Sequence, residues 1–438
     1  MLEKPVSIEK LISIIDDLFP IPKHFASGLP LDVRELSELF TSRRSERTRS
    51  YLGKPNLLSA YLRYFLPWNV FRLCKLLASL PLDLKDGDTV LDIGGGPLTF
   101  AISLWISRPE FRKTSLEFVV IDRTPRIMEA GKKILAALFR QDETDEDGST
   151  GSFNDIKNNV KWKIKTIHGE ISKKGFFVYR GGRRVFIYPE KILYARQAAL
   201  VSAVNVFNEI YWDLSPQDKT GLVDLAEQTG NVLGLCVRSA GSAGSVRSVR
   251  SARSAGSVFI AEPGIPRSGE FISYLRSSFL NSGFSCISPC VHENECPFPG
   301  GMISGKNKAK WCHFSFITID APQRLLWLSE AAGIPKDRAV LSYLFMSAEK
   351  INSKTNGKQM DGKPDSSRQN IITARIVSDM FPLGDQFGRY ACTECGPVLV
   401  TGSGRKIEAL DSCTCANVKI TGQVDQKSGA LIGVIYGG

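Results

Sequence analysis

A change of period at Thr89 restricts the fold of this chain more than any other feature. Val90-Leu91-Asp92-Ile93 is a short apolar run, Gly94, Gly95 and Gly96 follow it, and apolar residues then recur at helical spacing through Phe100, Leu104 and Ile106. A second apolar run, Glu117–Asp122, leads into a second helical stretch, Arg126–Leu138. Strands that alternate with helices in this way predict a parallel, doubly wound α/β sheet. Glycines at the strand exit let backbone approach a ligand closely, and the free amides of the helix start face it. Ala198–Val204 reads as a further buried strand, and Gln217–Thr229 as the helix behind it.

The flanks read differently. Ile8, Leu11, Ile12, Ile15 and Leu18, then Leu57, Tyr61, Tyr64 and Phe65, recur at helical spacing and predict an all-helical cap over residues 1–80. Gln141–Gly151 is acidic and turn-rich and reads as a loop, while FFVYRGGRRVFIY alternates about Gly181-Gly182 as an exposed β-hairpin would. Residues 239–258 are nearly all Ser, Ala, Gly, Val and Arg, which predicts a flexible, disordered insertion. The expected organisation is a helical basic cap over 1–80 and a Rossmann-like domain over 81–285. A cysteine-containing metal loop with the last sheet strands follows over 286–349, then a linker over 350–370 and a small β-rich tail over 371–438 that contributes a metal ligand.

Charge and cysteine usage point to partners. The 438 residues carry a formal charge of +11, and Arg43–Lys75 holds eight Lys or Arg residues against the single acid Glu46. That concentration suits a polyanion, with RNA the expected partner and DNA not expected; a solvated helix face is the plainer reading. The stretch TSRRSERTRSYLGK, interleaving Arg with hydroxyl side chains, suits phosphate positioning without sequence readout. No run reaches the eighteen or so apolar residues that span a bilayer, and the first residues lack a signal-peptide core, so a cytoplasmic or comparably reducing location without membrane contact is expected. Seven of the ten cysteines fall after residue 289. In a reducing compartment that pattern argues for a metal rather than disulfides.

The spacing Asp92-x-Gly94-x-Gly96 resembles the first motif of class I methyltransferases, and Asp122 closes the second strand where a carboxylate accepts ribose hydroxyls. S-adenosylmethionine is therefore the expected cofactor, held by Asp92, Gly94, Gly95, Gly96 and Asp122, against a structural turn or another nucleotide. Asn205, at the end of the later strand, is a candidate cofactor or substrate contact, or a turn-forming residue. No motif names a catalytic residue. Downstream, Cys290, Cys296 and Cys312 lie in a Pro- and Gly-punctuated stretch, with Cys392, Cys395, Cys413 and Cys415 as candidates to complete a site. Thiolates of this kind hold an iron-sulfur cluster or zinc, the latter with His292 or His313. Radical chemistry on S-adenosylmethionine needs three closely spaced cysteines, whereas fifteen residues separate Cys296 from Cys312.

The phrases VFIAEPGIPRSG, SPCVHENECP, Trp311-Cys312-His313-Phe314 and Leu341-Ser342-Tyr343-Leu344, with DVRELSELFTSRRSERTRSYL and AYLRYFLPWN earlier, resemble the methyltransferase-like assembly factors of the mitochondrial small ribosomal subunit and their bacterial relatives. The resemblance implies a class I methyltransferase fold, association with small-subunit rRNA and a four-cysteine 4Fe-4S cluster. It implies Cys290, Cys296, Cys312 and Cys392 as ligands, with Cys395 the alternative to the last. The implied activity is S-adenosylmethionine-dependent methylation of RNA on, or during assembly of, the small subunit; a non-catalytic assembly factor is the competing reading. Leu98 departs from the pattern, standing where many methyltransferases have another glycine.

Overall fold

The computed structural model describes residues 7–46, 51–147, 161–194, 196–215, 217–239, 255–298, 310–349 and 371–436. Contacts divide the chain into two units, residues 1–204 with 316–339, and residues 205–315 with 340–438.

The first unit opens with helices Ile8–Leu18, Lys23–Ala26, Leu29–Phe40, Pro55–Ala60 and Leu66–Leu77, the expected cap. Ser7 caps the first by accepting the Lys10 amide at 3.2 Å, and Leu11, Ile12, Ile14 and Ile15 form its buried face. Six strands follow: β1 (Asp88–Ile93), β2 (Leu116–Asp122), β3 (Lys163–Ser172), β4 (Gly175–Arg180), β5 (Arg183–Ile187) and β6 (Leu200–Val204). Their order is β5-β4-β3-β2-β1-β6, with β3, β2, β1 and β6 parallel and β4 and β5 added as an antiparallel hairpin. All six residues of β1 are buried, as a strand covered on both faces requires. The hairpin turns at Gly181 and Gly182, both at positive φ (54° and 76°), the backbone that a two-residue turn of this hand demands.

Segment 316–339 belongs to this unit through the cap. Trp68 Nε1 donates to Ser329 Oγ at 3.2 Å and the Tyr64 hydroxyl to the Ile334 carbonyl at 3.4 Å. Lys336 lies 6.0 Å from the Tyr64 ring centre and 5.8 Å from that of Trp68. Burial there, with Arg72 nearby, pushes its ammonium down to about 8.

The second unit holds β7 (Ser257–Pro263), β8 (Ser285–Ser288) and β10 (Arg338–Ser347), with β9 (Phe314–Ile317) between them in sequence. The register of β10 runs antiparallel to β7 and to β8, and helices Lys219–Cys236 and Pro266–Asn281 pack together. The tail is a barrel of β11 (Ile371–Ile376), β12 (Phe381–Leu383), β13 (Gln386–Thr393), β14 (Gly396–Gly402), β15 (Cys415–Val424) and β16 (Leu431–Ile435). Neighbours run β11-β13-β14-β16-β15 and back to β11, only β14 and β16 being parallel, and helix Gly404–Glu408 follows β14. This is the topology of an OB-fold. Ala374, Ile376, Ala391, Val398, Val400, Ile407 and Val418 fill it.

Two sequence expectations need correction. The acidic stretch is not a loop from Gln141, because helix Pro125–Asp147 runs through it; residues such as Gln141 and Glu143 extend an established helix without needing a core pattern. Ser257 and Val258, assigned to the disordered insertion, begin β7. Most of that insertion and the linker 350–370 lie outside the described residues.

Candidate cofactor crevice and cysteine site

The glycine turn leaves β1 at its C-terminal end, where doubly wound sheets take ligands. Gly94 and Gly95 donate to the Ile121 carbonyl at 2.7 and 3.3 Å, tying the turn to β2. Gly96 donates to Asp122 Oδ2 at 3.0 Å, and Thr124 to Oδ1 of the same carboxylate at 2.8 Å. Asp122 thus shapes the turn through both of its oxygens.

Asp92 is wholly buried. Its Oδ1 accepts from Ser202 Oγ on β6 at 2.7 Å, while Oδ2 is buried without a partner among the described residues. Burial pushes this carboxyl up to about 7, the Asp122 charge adds to that, and the Ser202 bond opposes it. A Cβ on Gly95 would fall 2.5 Å from Asp92 Oδ2 and from Val120 Cγ1, so only glycine fits. An unmet buried carboxylate oxygen beside a close-packed glycine turn fits a ligand that brings its own cationic donor.

Two residues of this site, Gly131 and Tyr61, were not legible in the sequence, whereas Leu98 was read there as a departure from the glycine pattern. Gly131, in helix Pro125–Asp147, stands where a Cβ would meet the Pro97 carbonyl carbon and oxygen at 2.3 Å, so the missing side chain lets that helix seat against the turn. The Tyr61 hydroxyl of the cap overlooks the turn, 3.9 Å from where a Gly96 Cβ would stand. Leu98 is fully buried at φ 60°, keeping the glycine-like backbone of the motif while filling the space a glycine leaves open.

In the second unit Asn205 has φ 56° and its amide donates to the Ala261 carbonyl at 2.8 Å. The buried Glu262 carboxylate accepts the next three amides, Val206, Phe207 and Asn208, at 3.0, 2.9 and 3.0 Å. Glu262 appeared in the sequence only as part of a phrase. Here it holds the Asn205 turn as a bound anion would.

The cysteine stretch lies wholly in the second unit. Arg276 Nε donates to Cys290 Sγ at 3.1 Å and its Nη2 to the His292 carbonyl at 2.7 Å. His292 Nε2 is 3.4 Å from Cys392 Sγ on β13, and Arg375 Nε donates to the Pro289 carbonyl at 2.8 Å. Cys392 is thus brought to the loop, whereas Cys395 is exposed. Burial raises the Cys312 and Cys392 thiols, and negative charge on Cys290 or Cys296 raises both further. Cys290 is pulled down to about 6, by a hydrogen bond from Cys286 and then by Arg276 and Arg375. Among the described residues no three His, Cys, Asp or Glu side chains have the arrangement of a formed metal site. The four thiols are neighbours, not a closed cage.

The basic residues of the cap are largely used within the fold. Arg43 is bonded to Glu38 and Glu46, Arg63 is buried against Asp16 at 3.0 Å, and Lys75 is paired with Asp320. Residues 47–50 of that stretch lie outside the described residues.

The half-sheet order β3-β2-β1-β6, with a later half in which β10 runs antiparallel between β7 and β8, defines a class I methyltransferase fold. Residues 245–378 match the family described as mitochondrial small ribosomal subunit Rsm22. That match covers 134 of the 438 residues and takes in Cys290, Cys296 and Cys312. No curated protein matches the chain. Fibrillarin of Aeropyrum pernix, with natively bound S-adenosyl-L-methionine, is similar at 15% identity, covering 50% of this chain and 68% of its own, with a TM-score of 0.25. The rRNA methyltransferase AviRa of Streptomyces viridochromogenes is similar at 12% identity over 45% of this chain and 73% of its own, with a TM-score of 0.23. A precorrin-6y C5,15-methyltransferase of Geobacter metallireducens is similar at 10% identity over 49% of this chain and 71% of its own, TM-score 0.25. Scores this low add nothing to the strand order.

Two outcomes follow. Gly131→Ala should lower stability by about 1–3 kcal/mol, read as a fall in Tm, because helix and turn must separate to admit a methyl group. The Asp92 carboxyl, raised in the folded state, contributes stability at acid pH that is lost as pH rises from about 4 toward 7. Asp92→Asn should flatten that part of the Tm-against-pH curve; an unchanged slope would show that Asp92 titrates normally.

Proposed function

We propose that this chain is an S-adenosylmethionine-dependent methyltransferase acting on small-subunit ribosomal RNA, on its own or in an assembling subunit. The observation that carries the reading is the crevice at the ends of β1 and β2, where Asp92 Oδ2 is buried and unmet beside a turn that only Gly95 permits. Gly94, Gly95 and Gly96 would lie against the cofactor, Asp92 would face its ammonium group, and Asp122 its ribose hydroxyls. Asn205 joins them as a further contact on the sequence pattern alone. When bound, the cofactor supplies an electrophilic methyl on a sulfonium.

Cys290, Cys296, Cys312 and Cys392 are proposed to hold an iron-sulfur cluster, for which a thiol donor set beside Arg276 and Arg375 is suited, since both arginines offset the negative charge of a thiolate-bound cluster. Its work would be structural, joining the loop before Trp311 to the barrel strand β13.

The competing reading is a non-catalytic assembly factor with a retained pocket. It is favoured by Leu98, whose buried side chain occupies space that a glycine would leave beside the turn.

Purified protein should bind S-adenosylmethionine by calorimetry, with affinity falling up to about tenfold for each pH unit below about 7 as Asp92 takes a proton. It should pass labelled methyl to small-subunit RNA or precursor particles, and Asp92→Ala should not. Cofactor binding without transfer favours the assembly factor, and no binding ends the methyltransferase reading. Anaerobically purified protein should contain several irons per chain, lost in Cys392→Ser and kept in Cys395→Ser; stoichiometric zinc in their place would refute the cluster.

A further inference from the structure

Among the described residues, a marked excess of positive charge lies on the sheet extension formed by β3, β4 and β5. Residues 161–196 carry ten Lys or Arg residues against two acids, Glu170 and Glu190. Only some are matched: Lys165 and Arg196 pair with Glu117, and Arg184 with Glu170. Lys173, Lys174, Arg180, Arg183 and Lys191 are exposed and have no acidic partner among the described residues. Arg180 and Arg183 stand directly opposite each other across the hairpin turn. Like charges in that register destabilise a hairpin, and a polyanion bound there removes the repulsion.

Aromatic rings are interleaved with these charges. A cleft of about 210 Å³ lies against β3 and β4, lined by His168, Tyr179, Arg180, Lys191 and Tyr194 among others. His168 stacks on Tyr179 with ring centres 4.4 Å apart. At its edge Tyr194 is 79% exposed and held at φ 53°, a backbone state that costs a bulky residue energy. Tyr188 is 59% exposed, with the Lys191 ammonium 5.9 Å from its ring centre. The cleft adjoins the cofactor crevice, because His168 is the register partner of Asp122.

The OB-fold barrel, the usual suspect for nucleic-acid binding, is a poorer match. Residues 371–438 carry six basic and six acidic residues. The outward side chains of β13 are engaged within the chain, Lys310 lying 5.5 Å from the Tyr390 ring centre and His292 on Cys392.

We propose that the β3–β5 extension is the binding face for single-stranded RNA. Arg180, Arg183 and Lys191 take phosphates, and Tyr188 and Tyr194 stack on unpaired bases, leading the strand past Asp122 toward the methyl donor. A single strand is specified because exposed rings need bases whose faces are free. The inference rests on RNA being the substrate, as proposed above, and names the surface that would grip it.

The test uses the full chain, a fluorescein-labelled oligouridylate and a duplex RNA of the same length, with binding followed by anisotropy over a salt series. Replacing Arg180, Arg183 and Lys191 together by Ala should weaken single-strand binding about tenfold or more and reduce the slope of log K against log salt by about 2, or about 0.7 per lost phosphate contact. Tyr194→Ala should weaken binding about tenfold with the slope kept, as loss of stacking without loss of charge requires. Both variants should bind S-adenosylmethionine as the parent does. Wild-type affinity and slope in both variants, or a preference for the duplex, would overturn the proposal while leaving the methyltransferase reading intact. Loss of RNA binding in the variants of a protein that never binds S-adenosylmethionine would support the surface and end the methyltransferase reading.

Discussion

A carboxylate held out of water at the end of β1 is the constraint to which the surrounding structure answers. Asp92 has one oxygen matched by Ser202 of β6 and the other unmet, so its charged form is disfavoured until something cationic reaches it. The glycine turn can close over it only because Gly95 lacks a Cβ, and the next helix can close on the turn only because Gly131 lacks one too. A second carboxylate, Asp122, holds the turn's far end through the Gly96 amide. The crevice is thus an assembly of missing atoms and one unmet buried carboxylate oxygen.

The second unit repeats the theme with different chemistry. Glu262 gathers three consecutive backbone amides after Asn205, fixing that turn with charge-assisted bonds. Burial and the nearby Cys290 and Cys296 raise the Cys312 and Cys392 thiols, while Cys290 is pulled down. Arg276 and Arg375 reach Cys290 and the neighbouring backbone.

Much of this was written in residue patterns. The three glycines after Ile93, the apolar β1 and β2, the helical cap and the Gly181-Gly182 hairpin all follow from periodicity and turn chemistry, and each element falls where its pattern lay. The acidic stretch after Gln141 misled because solvated helix and solvated loop share a composition. The basic run from Arg43 shows another limit. Arg43, Arg63 and Lys75 meet carboxylates of Glu38, Glu46, Asp16 and Asp320, the last two distant in sequence. Charge counts carry no record of which ions find each other.

What the sequence determined alone is therefore local: which stretches are strands or helices, where the chain must turn on glycine, and which residue types could ligate or cradle. Those properties depend on neighbours within a few residues, and the chain states them directly. Only the tertiary structure decided which charges remain free, that Cys392 rather than Cys395 comes to His292, that Gly131 underlies the glycine turn, and that the barrel closes through β11 and β13. Each is a meeting of groups far apart in the chain, set by how faces pack and by which cations find carboxylates, and no local pattern encodes such a meeting.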